Sequence, residues 1–235
     1  MLQPDAATFR ITSQKVVEEA LATGSIGIAY TYNEPFIWYE FVLECAELAR
    51  SQGLVNVLVT NGFYNPEPFL RLAPFIDAMN IDVKSMDEHF YKKICKSQLA
   101  PVLQTCRTAK ELGIHVEITN LVIPTLNDST VLIEKLTDFV LSLGKETPLH
   151  FSAYFPCYKM TIEPTPLATL LHASEIATRK LYYVYLGNVI TPEGSDTRCP
   201  QCGNILVKRR GYFVEITGIK GKACSRCGRE VDLVL

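Results

Sequence analysis

Ile26-Gly27-Ile28-Ala29-Tyr30-Thr31-Tyr32-Asn33-Glu34-Pro35 is an apolar run that ends in an acid set between an amide and a proline. A buried parallel strand ends this way when it delivers a carboxylate to the mouth of an α/β barrel. Trp38, Phe41, Val42, Cys45, Leu48 and Ala49 follow at helical spacing, and Gly53 stops that helix. Residues 54–60 then read as a second buried strand, closing on Asn61-Gly62. Strand, helix and strand make one βαβ unit.

The rest of the chain repeats the device. Upstream, residues 11–23 predict a helix that Thr12 or Ser13 can cap and Gly24 ends. Downstream come a short helix to Leu72, a strand over 77–83, a helix over 87–95 and a helix opened by Pro101 and closed by Gly113. A strand over 114–123 leads to a helix over 129–143, with Asn127-Asp128 as its cap. A strand over 149–155, a helix over 166–180 and a strand over 182–186 complete the series. No hairpin signal interrupts it, so an α/β fold with a parallel sheet, curled or open, is expected. We read residues 1–190 as that domain and 191–197 as a linker. Residues 198–235 then form a small β module with strand-like runs at 205–207 and 212–217.

With 235 residues, 48% of them hydrophobic, a substantial core can form. The net charge of −2 gives no general signal for nucleic acid, and no apolar run is long enough to span a bilayer. Met1-Leu2-Gln3-Pro4-Asp5 has no basic region leading into an apolar stretch, so no signal peptide and a cytoplasmic location are expected. Four of the eight cysteines form two tight pairs, Cys199/Cys202 and Cys224/Cys227. In an unexported α/β protein such pairs point to metal more than to disulfides. Each pair places two thiolates on one turn, and Gly203 and Gly228 let backbone amides approach the sulfurs. A tetrahedral set of four thiolates suits Zn²⁺; a single iron with the same ligands, or disulfides, are the alternatives. Lys208, Arg209 and Arg210 read as a solvated face.

Parallel sheets bind ligands at the carboxyl ends of their strands. Those ends carry Asn33 and Glu34, Thr60 and Asn61, Asp82 and Lys84, Thr119 and Asn120, and Gly187 and Asn188. Alternation puts Asp82 and Lys84 on one face. Any one of these is explained equally well by a strand leaving the core. Their accumulation on successive strands suits a zwitterionic, nucleoside-like ligand. His89, His115, His150 and His172 show no metal-binding spacing and read as structural, with His115 and His150 at the opposite end of the strands. Cys45 and Cys106 read as core. Cys157, at a strand end, reads as a structural thiol before a reactive one.

The segments 28–35, Val59-Thr60-Asn61-Gly62, Asn80-Ile81-Asp82-Val83-Lys84, 115–124 and Tyr185-Leu186-Gly187-Asn188-Val189 resemble the AmmeMemoRadiSam system radical SAM enzymes. That family is similar to the activating enzymes of pyruvate formate-lyase, and the terminal cysteine module matches it too. The resemblance implies a partial (β/α) barrel, here without its first strand, plus a zinc-ribbon-like module. It also implies two cofactors, S-adenosylmethionine and a 4Fe–4S cluster. One electron from the cluster, supplied by an electron donor, cleaves the sulfonium to a 5′-deoxyadenosyl radical. That radical abstracts hydrogen from a protein or small-molecule substrate. By motif, Asn33 and Glu34 correspond to the segment that receives the methionine amino group. Asp82 and Lys84 correspond to the segment near the ribose and carboxylate. Thr60, Asn61 and Thr119 line the mouth, and Gly187 and Asn188 lie near the adenine.

Two departures stand out. The Cys-x-x-x-Cys-x-x-Cys motif that holds the cluster does not occur in the 235 residues, and in the family it lies just before the segment that starts this chain. The tail cysteines have the wrong spacing to replace it, and no catalytic residue is identifiable. Ala153 and Phe155 stand where many relatives carry an arginine and a histidine. The chain as given is therefore expected not to cleave S-adenosylmethionine, and a sheet edge and part of the core are expected to be exposed. A non-catalytic zinc-containing module that binds a nucleoside or a protein is the alternative. A barrel lyase using Lys84 as a Schiff-base amine is the third reading.

Overall fold

The computed structural model describes residues 10–191, 193–211 and 213–233. The opening residues 1–9, Pro192 of the expected linker and Tyr212 of the second tail run lie outside them. Six parallel strands form one sheet in chain order: β1 (Gly27–Tyr30), β2 (Val55–Thr60), β3 (Ala78–Asp82), β4 (His115–Val122), β5 (Leu149–Ala153) and β6 (Val184–Gly187). Helix α1 (Ser13–Ala22) precedes β1. The crossovers carry α2 (Tyr39–Ser51), α3 (Pro66–Leu72), α4 (Glu88–Phe90), α5 (Leu99–Glu111), α6 (Thr130–Leu143) and α7 (Leu167–Thr178). Strand order never reverses, so crossovers of one hand place every helix on one face and leave a curled, partial barrel.

Burial follows from that geometry. Along β4, Val116, Ile118, Asn120 and Val122 are buried while His115, Glu117, Thr119 and Leu121 are partly exposed. The buried row joins Leu58, Met79, Ile81, Leu149 and Phe151 against Val42, Ala46, Val102, Cys106, Ile133 and Leu170 of the helices. The other row is the concave inner face. Register lines its residues up: Asp82 pairs Thr119, Thr119 pairs His150, and His150 pairs Tyr185. Asn56, fully buried, knits the first unit together. It accepts from Tyr30 Oη at 3.0 Å and donates to the carbonyls of Ala46 (3.0 Å) and Phe75 (2.9 Å).

Some boundaries differ from expectation. β1 stops at Tyr30, so Glu34 stands beyond the strand, where it caps the 3₁₀ turn Pro35–Trp38. Pro101 is the third residue of α5 rather than its first; first-turn N–H groups have no helical partner, so proline is tolerated there. Ser129, not Asn127-Asp128, caps α6. Asn127 turns inward, donating to the carbonyls of Lys84 (2.6 Å) and Leu121 (2.9 Å) and accepting from Ile123 N (2.6 Å). β1 is an edge strand among the described residues, with Ala29 exposed and Ile26 87% exposed.

The tail builds a separate antiparallel sheet from β7 (Thr197–Arg198), β8 (Ile205–Arg210) and β9 (Phe213–Ile216), and a hairpin of β10 (Ile219–Lys220) and β11 (Ala223–Cys224). Cys199, Leu206, Val207, Cys224 and Val231 form its own small core. It docks on β6: Tyr183 Oη donates to Asp232 at 3.0 Å, and Tyr185 Oη bonds Thr197 Oγ1 at 2.8 Å.

Candidate functional site

Glu34 is buried and binds the end of β2. Its Oε1 accepts from Thr60 Oγ1 at 2.6 Å and from Phe36 N at 3.4 Å, and its Oε2 accepts from Asn61 N at 2.8 Å. A carboxylate has about four acceptor positions, so Oε2 retains one. Glu34 and Asn61 border a cleft of about 1200 Å³ walled by Phe36, Tyr39, Phe63 and Tyr64. Thr60 does not line that cleft. Its side chain lies on the helix-facing side, where it also accepts from Gly62 N at 3.1 Å, and its part is to hold Glu34.

Asp82 and Lys84 leave β3 on the same face and pair at 2.6 Å. With Asn61, Tyr91 and Cys95 they line a second cavity of about 380 Å³. Tyr91 fixes this strand end by accepting Lys84 N on its hydroxyl at 3.0 Å. Burial pushes the Tyr91 phenol well above its ordinary value and keeps it neutral. Asn61 is the wall common to both cavities.

The remaining residues are not drawn into these cavities. Thr119 lies beside Asp82 in register and donates to Asn80 Oδ1 at 2.8 Å. Gly187 faces Ser152, where a Cβ would meet the hydroxyl at 2.6 Å. Asn188, at φ +58°, ties the β6 end to Ala153 O at 3.1 Å. Asn33 is exposed. In the sheet order β4 and β5 stand between the β6 end and the β1–β3 ends.

The inner face also holds a cluster that the sequence reading set aside. Glu117 receives His115 Nε2 at 3.3 Å on one oxygen and His150 Nε2 at 2.7 Å on the other. Burial alone would raise its carboxyl. The hydrogen bonds and charge of the two imidazoles outweigh burial and hold it well below the usual carboxylate range. His150 is thus not isolated at the far end, because β5 starts later along the sheet and brings it level with Thr119. The period-2 placement of His115, Glu117 and Thr119 on one face was the available signal.

Cys199, Cys202, Cys224 and Cys227 bring their sulfurs within 4.8 Å of one another, with Sγ–Sγ distances of 3.6 Å (Cys199–Cys227) and 3.7 Å (Cys202–Cys224). All four are free thiols, so the disulfide alternative does not hold here. A tetrahedron with metal–sulfur bonds of about 2.3 Å has edges of about 3.8 Å, which these distances match. Gly203 and Gly228 sit at φ +71° and +75°, the left-handed turn each knuckle requires. Burial raises the Cys224 thiol, yet the N–H groups of Arg226 and Cys227 aimed at its sulfur bring it down to about 6.

A profile of the Radical SAM superfamily matches residues 11–135. An uncharacterised protein of Methanocaldococcus jannaschii is 45% identical over 238 residues, covering 99% of this chain and 71% of its own length. The (2S)-3-sulfopropanediol dehydratase activating enzyme of Klebsiella oxytoca is 30% identical over 118 residues, which are 49% of this chain but only 37% of that enzyme. Among solved structures, a domain of the pyruvate-formate lyase-activating enzyme from Bacteroides vulgatus superposes with a TM-score of 0.61 at 20% identity. That match covers 69% of this chain and 99% of the other, and at that identity it speaks for the fold. No helix among the described residues is long and apolar enough to cross a membrane.

Proposed function

The chain belongs to the radical SAM superfamily, an enzyme superfamily with activating enzymes among this chain's relatives, and on that footing we propose that its strand ends bind S-adenosylmethionine. The supporting observation is the pair of cavities that meet at Asn61, one carrying Glu34 and the other Asp82 with Lys84. The donor set suits a zwitterionic nucleoside. Glu34 Oε2 keeps an acceptor position for an ammonium group, a charge-assisted bond in a partly dry site. Lys84 supplies a cation for a carboxylate, Asp82 accepts from hydroxyls, and Phe63 and Tyr91 are flat walls for a heterocycle. Thr60 orients Glu34 without touching the ligand, and Tyr91 also fixes the backbone of Lys84. Asn33 and Thr119 are assigned to the rim outside these cavities, and Gly187 and Asn188 to the part of the mouth beyond β4 and β5.

The residues present do not fit the cluster. Its three-cysteine motif is not among these 235 residues, Cys45 and Cys106 are core, and the tail thiols already form a closed four-ligand set. Cluster ligands have to come from outside these residues. In the superfamily, the cluster's electron cleaves S-adenosylmethionine to the radical that abstracts hydrogen from substrate. The activating enzymes make a protein substrate the natural first candidate for the whole enzyme, with the AmmeMemoRadiSam kind as the narrower reading. We assign zinc to the four tail cysteines, and residues 198–235 to a module distinct from the 1–190 barrel.

The test is anaerobic reconstitution with iron and sulfide, a reductant and S-adenosylmethionine, followed by assay for 5′-deoxyadenosine. The chain alone is expected to bind S-adenosylmethionine and form no product; joined to a three-cysteine segment it is expected to form product. No product from the joined protein overturns the enzyme reading in favour of a non-catalytic binder.

A further inference from the structure

The inner face of β4–β6 and the C-terminal module enclose a third cavity, of about 570 Å³, whose walls include His115, Glu117, His150, Tyr185, Arg209 and Asp232. Its size is that of a small-molecule site, and its residues come from two parts of the chain far apart in sequence. The carboxylates in and beside it already have partners. Asp232 is matched by Arg229 at 3.3 Å and also accepts from Tyr183. Glu117 is shared between two imidazoles. Asp196, whose carboxylate receives Arg209 N, forms its ion pairs with Arg198 and Arg210.

That leaves the Arg209 guanidinium with no carboxylate in ion-pair range among the described residues. It is nevertheless held in place. Its Nη1 donates to Thr197 Oγ1 at 2.6 Å and Ser195 O at 3.4 Å, and the guanidinium lies 5.5 Å from the Tyr185 ring centre. Tyr185 in turn stacks on His150 at 5.1 Å. Among the described residues Arg209 donates through Nη1, and its other guanidinium N–H groups have no acceptor besides the nearby Tyr185 hydroxyl. A fixed guanidinium with free donors in a concave, partly dry site is a fork for a planar or tetrahedral oxyanion.

We propose that this cavity is an oxyanion site, taking a carboxylate or phosphate group on Arg209 with His115 and His150 beside it. Glu117 sets the imidazoles in place, and the cysteine module, by supplying Arg209, forms one wall. Glu117 lies one pleat repeat, about 7 Å, below Thr119 and the Asp82 row. A ligand anchored here therefore extends toward the strand ends from beneath. The site stands apart from the S-adenosylmethionine reading, because anion binding is measured without that cofactor.

The experiment is calorimetric titration of the whole chain with inorganic phosphate and, separately, acetate at pH 7 and low ionic strength. One saturable site is expected for at least one of them, with a Kd on the order of 1 mM. Arg209→Gln is expected to weaken it roughly tenfold or more, whereas Lys208→Gln, exposed on the same strand, leaves it unchanged. Urea denaturation is expected to show the Arg209→Gln protein folded under the titration conditions, so that a lost site is read on folded protein. Tighter phosphate assigns a phosphoryl ligand and tighter acetate a carboxylate. Saturation by neither anion, or an Arg209→Gln protein that binds like the parent, overturns the proposal.

Discussion

Glu34 makes two separable predictions, one for stability and one for binding. Its carboxylate accepts a hydroxyl at 2.6 Å and a backbone N–H at 2.8 Å in a buried setting. Hydrogen bonds to charged groups contribute about 1.5–3 kcal/mol each, and stranding the buried partner adds a desolvation cost. Glu34→Ala leaves both Thr60 and Asn61 N without an acceptor, so a loss of about 3–4 kcal/mol is expected. Glu34→Gln keeps one carbonyl oxygen but aims an NH₂ group at the other donor, so a loss of about 1–2 kcal/mol is expected. Urea denaturation measures both. Calorimetry with S-adenosylmethionine then reads the second effect. Although Glu34→Gln stays folded, the loss of the anionic partner of the ammonium is expected to weaken binding about tenfold, near 1.4 kcal/mol. A folded Glu34→Gln protein with the parent's affinity refutes the role given to Glu34. Equal stability losses for the two variants refute the hydrogen-bond arithmetic.

Three further outcomes are expected. Asn56→Ala removes three side-chain hydrogen bonds at a fully buried position and strands the Tyr30 hydroxyl and two carbonyls; a loss of about 3 kcal/mol in urea denaturation is expected, and less than 1 contradicts the network. Metal analysis of purified protein is expected to give one zinc equivalent. Cys224→Ser is expected to lose it and open residues 198–233 to protease, since structural zinc contributes about 10–16 kcal/mol in isolated finger peptides. Glu117→Gln tests the inner-face cluster by pH. The folded carboxyl lies below its ordinary value of 4.5, so its stabilisation is fully present above that pH and is lost as pH falls through and below it. After discounting for a side chain about one-third exposed, the variant is expected to lose about 1–2 kcal/mol at pH 6. The gap to the parent is expected to narrow between pH 4.5 and 3; a gap that widens there contradicts the assignment.

The parallel sheet was legible because periodicity and glycine stops are local. Apolar runs of strand length alternated with amphipathic helices, and β1 to β6 fell in the expected order. The cysteine cluster was legible for the same reason, since each knuckle is a short turn. Where strands stop was less legible: β1 ends at Tyr30 because only four of its residues find partners on β2, which places Glu34 on a cap instead of a strand. Thr60 was read as lining the mouth, yet its side chain lies on the helix-facing side. The hidden feature was register. His115 and Glu117 share a face by alternation, but only the offset between β4 and β5 sets His150 beside Thr119, within reach of Glu117. Arg209, read as part of a solvated face, reaches the inner side only because the tail docks on Tyr183 and Tyr185, a tertiary contact with no local signature.

The most direct measurement of the central claim is a crystal structure of this chain grown with S-adenosylmethionine. The ligand is expected at the carboxyl ends of β1–β3, its ammonium on Glu34 Oε2 and its ribose and carboxylate near Asp82 and Lys84. Density for it anywhere else, or strand-end cavities left empty at saturating ligand, contradicts the claim.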